Sequence, residues 1–191
     1  MLDFLAVIIA TATANNVILN QAIGADAALS QSQSAKHALS LGLLTGVAIV
    51  VSGLAVFFVD QYVLTDTGFV GLRLFVIVLI TAAITLPLDA YWPSHASTNT
   101  VARGPLVLAN TTVLGTVLLS MRDPASVTDT VALLVGHALG FLAVLLIVAS
   151  IRQRVTRARV PTALRGGPLL LIVIGLLALA ASGLDGMTSS S

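Results

Sequence analysis

The sequence predicts an all-α integral membrane protein: six transmembrane helices in a 3+3 inverted-topology repeat, with the first and fourth helices interrupted. Three observations predict it. Of 191 residues, 57% are hydrophobic and only 9% charged, against about 25% charged in a typical soluble domain, so the chain lacks a soluble protein's polar surface. Apolar stretches near the roughly 20 residues that a spanning helix needs recur six times. Two of them are broken in mid-run by carboxamides, one in each half of the chain, where inverted-repeat transporters place their broken helices.

The spans are placed at residues 3–24, 38–59, 71–88, 104–121, 127–150 and 168–184. The first is read as a retained helix, because its leading Met1-Leu2-Asp3-Phe4 is acidic and no convincing cleavage site follows. Pro105 and Pro168 sit at span starts, where a missing N–H is harmless. Pro87 and Pro93 are expected to bracket the exit from the third span. The whole chain, 1–191, is one membrane domain, with repeat 1 about 1–90 and repeat 2 about 100–191.

Basic residues orient the bundle. Lys36, Arg103, Arg152, Arg154, Arg157, Arg159 and Arg165 fall in loops one, three and five, and only Arg73 and Arg122 in loops two and four. Loops one, three and five are therefore cytoplasmic, and both termini face outward. The run Arg152, Arg154, Arg157, Arg159 and Arg165 reads first as this orientation signal with lipid phosphates bound. Docking of an acidic cytoplasmic partner is the sharper alternative.

Polar groups inside apolar spans mark candidate pathways. Asn15, Asn16, Asn20 and Gln21 interrupt the first span, and Asn110, Thr111 and Thr112 the fourth. Asn16 and Asn20 share a face at i,i+4, with Gln21 close by. Such amides either cap a break and bridge helices, or offer carbonyl oxygens to a cation; being neutral, they cannot relay a proton by titration. His137 stands midway along the fifth span, either hydrogen-bonded to a facing group or able to relay protons. Gly136 and Gly140 form a GxxxG, as do Gly42 and Gly46, which lets helix backbones approach closely. The absence of cysteine excludes disulfides, thiolate-bound zinc and an all-Cys iron–sulfur site made by this chain alone. No nucleotide-binding glycine loop, catalytic triad or metal-ligand spacing is present, and no nucleic-acid partner is expected.

The string from Asn15 through Asn16-Val17-Ile18-Leu19-Asn20-Gln21-Ala22-Ile23 to Gly24 resembles the first-helix signature of the RnfA/NqrE family. These are membrane subunits of the Rnf and sodium-pumping NADH:quinone oxidoreductase complexes. The stretch from Pro105 to Gly115, with Asn110 and Val113-Leu114-Gly115, is similar to the family's fourth-helix motif. Gly140-Phe141, Ile151-Arg152, Val160-Pro161, Arg165-Gly166 with Pro168, and Gly175-Leu176 extend the likeness, colinear over essentially the whole chain.

The resemblance implies a subunit of a redox-driven, ion-translocating complex in a bacterial or archaeal plasma membrane. It implies a sister subunit of the RnfE/NqrD kind in inverted orientation, alongside other Rnf-type subunits. It further implies a 2Fe–2S cluster near mid-membrane, held by two cysteines from each sister. Here those positions are Asp26 and Thr111. A carboxylate matches iron poorly and a neutral hydroxyl worse, so the cluster is not expected from this chain. Three functions follow: an RnfA-like subunit whose electron route differs, a cluster-free paralogue serving as scaffold or ion path, and a stand-alone small-solute transporter, which the colinear likeness disfavours. Asp26 reads as a solvated loop residue or as a cation-attracting group at the mouth of a path.

Overall fold

A computed structural model describes residues 2–13, 16–25, 35–64, 70–91, 111–121, 126–155, 161 and 164–188. Among these residues every regular element is helical. They are α1 (Leu2–Ala12), α2 (Val17–Gln21), α3 (Ala35–Val59), α4 (Arg73–Tyr91), α5 (Thr111–Ser120), α6 (Val127–Val155) and α7 (Gly167–Thr188). A π-helical turn, Asp60–Leu64, prolongs α3, and a 3-10 turn, Val70–Leu72, leads into α4. Two segments are long and apolar enough to cross a membrane, Ala38–Leu64 and Val127–Val155, and Arg73–Leu88, Thr111–Ser120 and Gly167–Gly183 are shorter apolar helices.

The two long helices, α3 and α6, form the central pair. They run antiparallel and close: a Cβ on Gly46 would meet Ala138 Cβ at 3.4 Å, and one on Gly42 or Gly53 would meet the side chain of Leu142 or Leu134. The other helices dress this pair. α1 lies along α6, and α5 along α3; α4 packs on α3, and α7 on α6; α2 touches α7, and α5 touches α4.

Three buried clusters hold the bundle. Ile18, Ala38, Phe141, Leu145, Val148, Leu170 and Ile174 join α2, α3, α6 and α7. Leu44, Ala48, Ile49, Val113 and Leu134 join α3, α5 and α6. Val56, Phe57, Ile77, Val117 and Met121 join the far end of α3 to α4 and α5. Outside them, Leu74, Phe75 and Leu79 on α4 and Leu176 and Leu179 on α7 are exposed. Such contiguous apolar surface suits contact with lipid or another membrane chain rather than water.

Two span boundaries differ from those expected. The third helix carries Pro87 inside and ends at Tyr91, a little beyond the expected 88 and between Pro87 and Pro93 as the sequence predicts. The carbonyl that Pro87 strips of its partner is one turn back, where neighbouring helices can satisfy it in a membrane bundle. The fifth helix passes residue 150 and ends at Val155, taking Arg152 and Arg154 into its last turn. Positive charge there complements the partial negative charge of a helix C-terminus. The first helix is interrupted as expected; the interruption of the fourth lies outside the described residues, which resume at Thr111.

Candidate functional site

The break in the first span is built by one carboxamide. Asn16 has extended backbone angles, φ −67 and ψ 121, and caps α2. Its Oδ1 accepts from the Ile18 N–H at 3.1 Å, and its Nδ2 donates to the Ala12 carbonyl at 2.9 Å. One side chain thus satisfies an orphan carbonyl ending α1 and an orphan N–H opening α2, as helix termini require. Only a side chain with donor and acceptor together does both, and at 2% exposure no bulk water stands in for it.

The expected shared face of Asn16 and Asn20 is not found. Asn16 is buried, while Asn20 and Gln21 are exposed on α2. As an N-cap in extended conformation, Asn16 has left the helical register that would have aligned it with Asn20.

Beyond α2, Ala22 adopts the left-handed conformation, φ 54, and Gly24 follows at φ 88. This turn delivers Gly24 to the start of α5, where its N–H donates to Thr111 Oγ1 at 3.1 Å. A Cβ on Gly24 would collide with the Thr112 hydroxyl and stand 3.1 Å from the Phe141 ring. The fold therefore brings Thr111 against the segment that leads, two residues later, to position 26. Asp26 itself lies outside the described residues, as do Asn15, Asn110, Arg157 and Arg159.

The GxxxG of α6 cradles the same break from the other side. A Cβ on Gly140 would stand 2.9 Å from the Ala12 carbonyl oxygen and 2.8 Å from Asn16 Nδ2. One on Gly136 would stand 3.0 Å from the Ile8 carbonyl oxygen. The partner of this motif is α1 of the same chain. His137, between the two glycines in sequence, is 8% exposed. The Leu133 backbone lies near its ring, without closing a hydrogen bond to Nδ1. Thr112 is fully buried on α5. Of the basic run, Arg152, half-buried, and Arg154, exposed, lie in the last turn of α6, and Arg165 is exposed beyond it.

One site escaped the sequence reading. Arg73, counted there only as a loop charge, meets Asp60 at two points, Nε at 2.8 Å from Oδ1 and Nη2 donating to Oδ2 at 2.9 Å. Its Nη2 also donates to the Met121 carbonyl at 2.7 Å. Three helix ends are thereby tied: the π turn of α3, the start of α4 and the end of α5. Asp60 and Arg73 are thirteen residues apart, and no local pattern advertises such a pair.

The junction of Gly24 with Thr111 does not fit a 2Fe–2S cluster. The chain supplies no thiolate, and Thr111 offers a neutral hydroxyl that already accepts the Gly24 N–H. Among the described residues, no group of three or more His, Asp or Glu side chains is placed to hold a metal ion.

The comparisons agree with the residues. A family model described as Rnf-Nqr subunit, membrane protein, matches residues 4–188. The chain is 33% identical over 193 residues to the A component of the ion-translocating oxidoreductase complex of Aromatoleum aromaticum, covering 100% of both chains. It is 31% identical over 192 residues to the component of that name from Histophilus somni, covering 98% of each. The counterpart from Vibrio campbellii is 28% identical over 192 residues, with 98% of this chain and 99% of the relative aligned. With its helix break, its Gly24–Thr111 junction and a match along almost its whole length, the chain belongs to the Rnf-Nqr family of membrane subunits.

Proposed function

We propose that this chain is the RnfA-like membrane subunit of a redox-driven, ion-translocating electron-transport complex. The observation that carries the proposal is end-to-end alignment with relatives named as the A component of an ion-translocating oxidoreductase complex. The helix break adds support, because a spanning helix tolerates irregular backbone only where protein buries it or a cavity needs it.

The architecture we infer is six spans in two inverted halves, with both termini on the outer side of the plasma membrane. Exchanging the halves leaves the neighbour relations unchanged: α1 on α6 becomes α5 on α3, α4 on α3 becomes α7 on α6, and α2 on α7 becomes α5 on α4. That invariance supports the repeat. A sister subunit of the same fold in reverse orientation is the proposed neighbour, and the exposed apolar faces of α4 and α7 leave room for one.

The donor set at Gly24 and Thr111 favours a second reading of the mechanism. This subunit binds no 2Fe–2S cluster and serves as scaffold or ion path, while electrons travel elsewhere in the complex. Thr112 and His137 remain path candidates because both are buried in the bundle. Asn20 and Gln21 are exposed on α2 and suit contact with a neighbouring chain.

Affinity purification of the native complex through this chain tests both readings. The expected result is co-purification with redox-active subunits and with a second six-span membrane chain. Isolation of the chain alone, active in solute uptake, would refute the assignment. Iron analysis and EPR of the same preparation address the mechanism: a 2Fe–2S signal that disappears in Asp26→Ala would refute the cluster-free reading.

A further inference from the structure

Three helices bring hydroxyl and imidazole groups to one seam inside the bundle. On α5, Thr112, Thr116 and Ser120 recur every four residues and so share a face, and all three are at most 1% exposed. On α3, Thr45 and Ser52 are two turns apart, and on α6 so are Thr130 and His137. All four are buried.

The packing of apolar neighbours sets these rows against each other. Val113, beside Thr112, clusters with Ile49 of α3 and Leu134 of α6. Val117, beside Thr116, clusters with Val56 of α3. Ile49 lies between Thr45 and Ser52, which places that pair along the flank of α5. On α6, Phe141 reaches the same Gly24 that Thr112 touches, and His137 stands one turn from Phe141 on that side of the helix.

The polar groups of this seam are not all spent. Thr116 donates to the Thr112 carbonyl at 2.7 Å, and Thr130 to the Ser126 carbonyl at 2.9 Å, so both hydroxyls are committed to their own helices. Ser52 Oγ, Ser120 Oγ and His137 Nδ1 have no hydrogen-bond partner. Ser52 is fully buried, Ser120 is 1% exposed and His137 is 8% exposed. Each comes from a different helix, and all three belong to the one seam. Thr81 Oγ1 on α4 is also without a partner, outside these rows.

A buried polar atom without a partner is costly, and native interiors satisfy such atoms with protein groups or ordered water. We infer that the seam binds a short file of water molecules, running from the Asp60–Arg73 end of the bundle to the Gly24–Thr111 junction. Ser120 marks the mouth, since Met121, the next residue, gives its carbonyl to Arg73. Water fits this lining better than a dehydrated metal ion. Hydroxyls donate and accept, an imidazole nitrogen does either, and no carboxylate among the described residues of the three rows offsets a cation's lost hydration. The file gives a subunit without thiolates a wet route from one face towards the helix break. It depends on the membrane placement of the bundle and not on the assignment to an oxidoreductase complex.

Thiol chemistry tests the inference in the assembled complex, because this chain has no cysteine of its own. Single variants Ser52→Cys, Thr116→Cys and Ser120→Cys are exposed to 2-aminoethyl methanethiosulfonate in proteoliposomes, and the mass of this subunit is followed. The reagent attacks thiolates, which form only where water reaches. Modification of the three should be at least ten-fold faster than that of Ile49→Cys and Val117→Cys, their dry neighbours, with Thr128→Cys as the solvent-exposed reference. The serine-to-alanine changes give an independent reading. In a dry seam, Ser52→Ala and Ser120→Ala remove an orphan hydroxyl and raise the thermal midpoint; in a wet one they remove a water's partner and lower it. Lowered midpoints are expected. Seam cysteines no faster than the dry pair while Thr128→Cys reacts, or a midpoint raised by either alanine, overturns the proposal.

Discussion

At the scale of single residues, the carboxamide of Asn16 and the hydroxyl of Thr111 carry the junction in different ways. Asn16 closes both ends of a helix break, with Nδ2 on Ala12 and Oδ1 on Ile18. Asn16→Ala loses both bonds and should lower stability by about 1–2 kcal/mol, the upper range for an N-cap. Asn16→Asp keeps the acceptor, loses the donor and brings a charge into an apolar site, so it should cost more still. Gln21→Ala, on an exposed side chain, should stay within about 0.5 kcal/mol of the parent. Thermal midpoints of the three purified variants, measured in one detergent, decide the order. The run of carboxamides was plain in the sequence, but which of them caps was not. Capping depends on where the backbone leaves the helix, and α-helical periodicity assumes that it never does. Thr111 stood out as part of the polar break in the fourth span, but the Gly24 bond joins residues separated by 87 positions, a distance over which local pattern says nothing.

At the scale of elements, the long helices were readable because twenty or more apolar residues admit few alternatives in a membrane. The expected second span begins at 38 and the helix at Ala35; both end at Val59. The shorter elements were harder. Pro87 and Pro93 marked the exit from the third span but not its last residue, since a helix wrapped in protein and lipid continues through Pro87 and runs to Tyr91. The two GxxxG motifs were visible, but a motif this common names no partner. The structure assigns Gly136 and Gly140 to α1, and Gly42 and Gly46 to α6. Backbone contact at Gly140 makes that face intolerant of bulk. Gly140→Leu should destabilise the bundle by about 1–3 kcal/mol, the range for overpacking, and separate α1 from α6. Gly175→Leu, with open space around it, should be nearly neutral. Disulfide trapping between cysteines introduced at Ile8 and Leu133 would report the separation directly, by loss of the crosslink in Gly140→Leu.

At the scale of the whole molecule, composition alone places the chain in a membrane, and the distribution of Lys and Arg is the ground for the proposed N-out arrangement. Single cysteines at Lys36 and Arg154 should react with a membrane-impermeant maleimide only from the cytoplasmic face, and one at Thr128 only from the outer face. Labelling of all three from one side would dismiss the N-out, six-span arrangement. Much of the tertiary logic still lies between segments far apart in sequence, such as the tie of Arg73 to Asp60 and Met121. One consequence concerns the order in which the protein is made. The helix Val17–Gln21 turns away from α1 and packs on Gly167–Thr188, far later in the sequence. Five residues form no stable helix by themselves, so Val17–Gln21 gains this support only once residues 167–188 have been made. A segment made early is then late to mature, and a nascent chain stalled before residue 167 would leave that break unfinished.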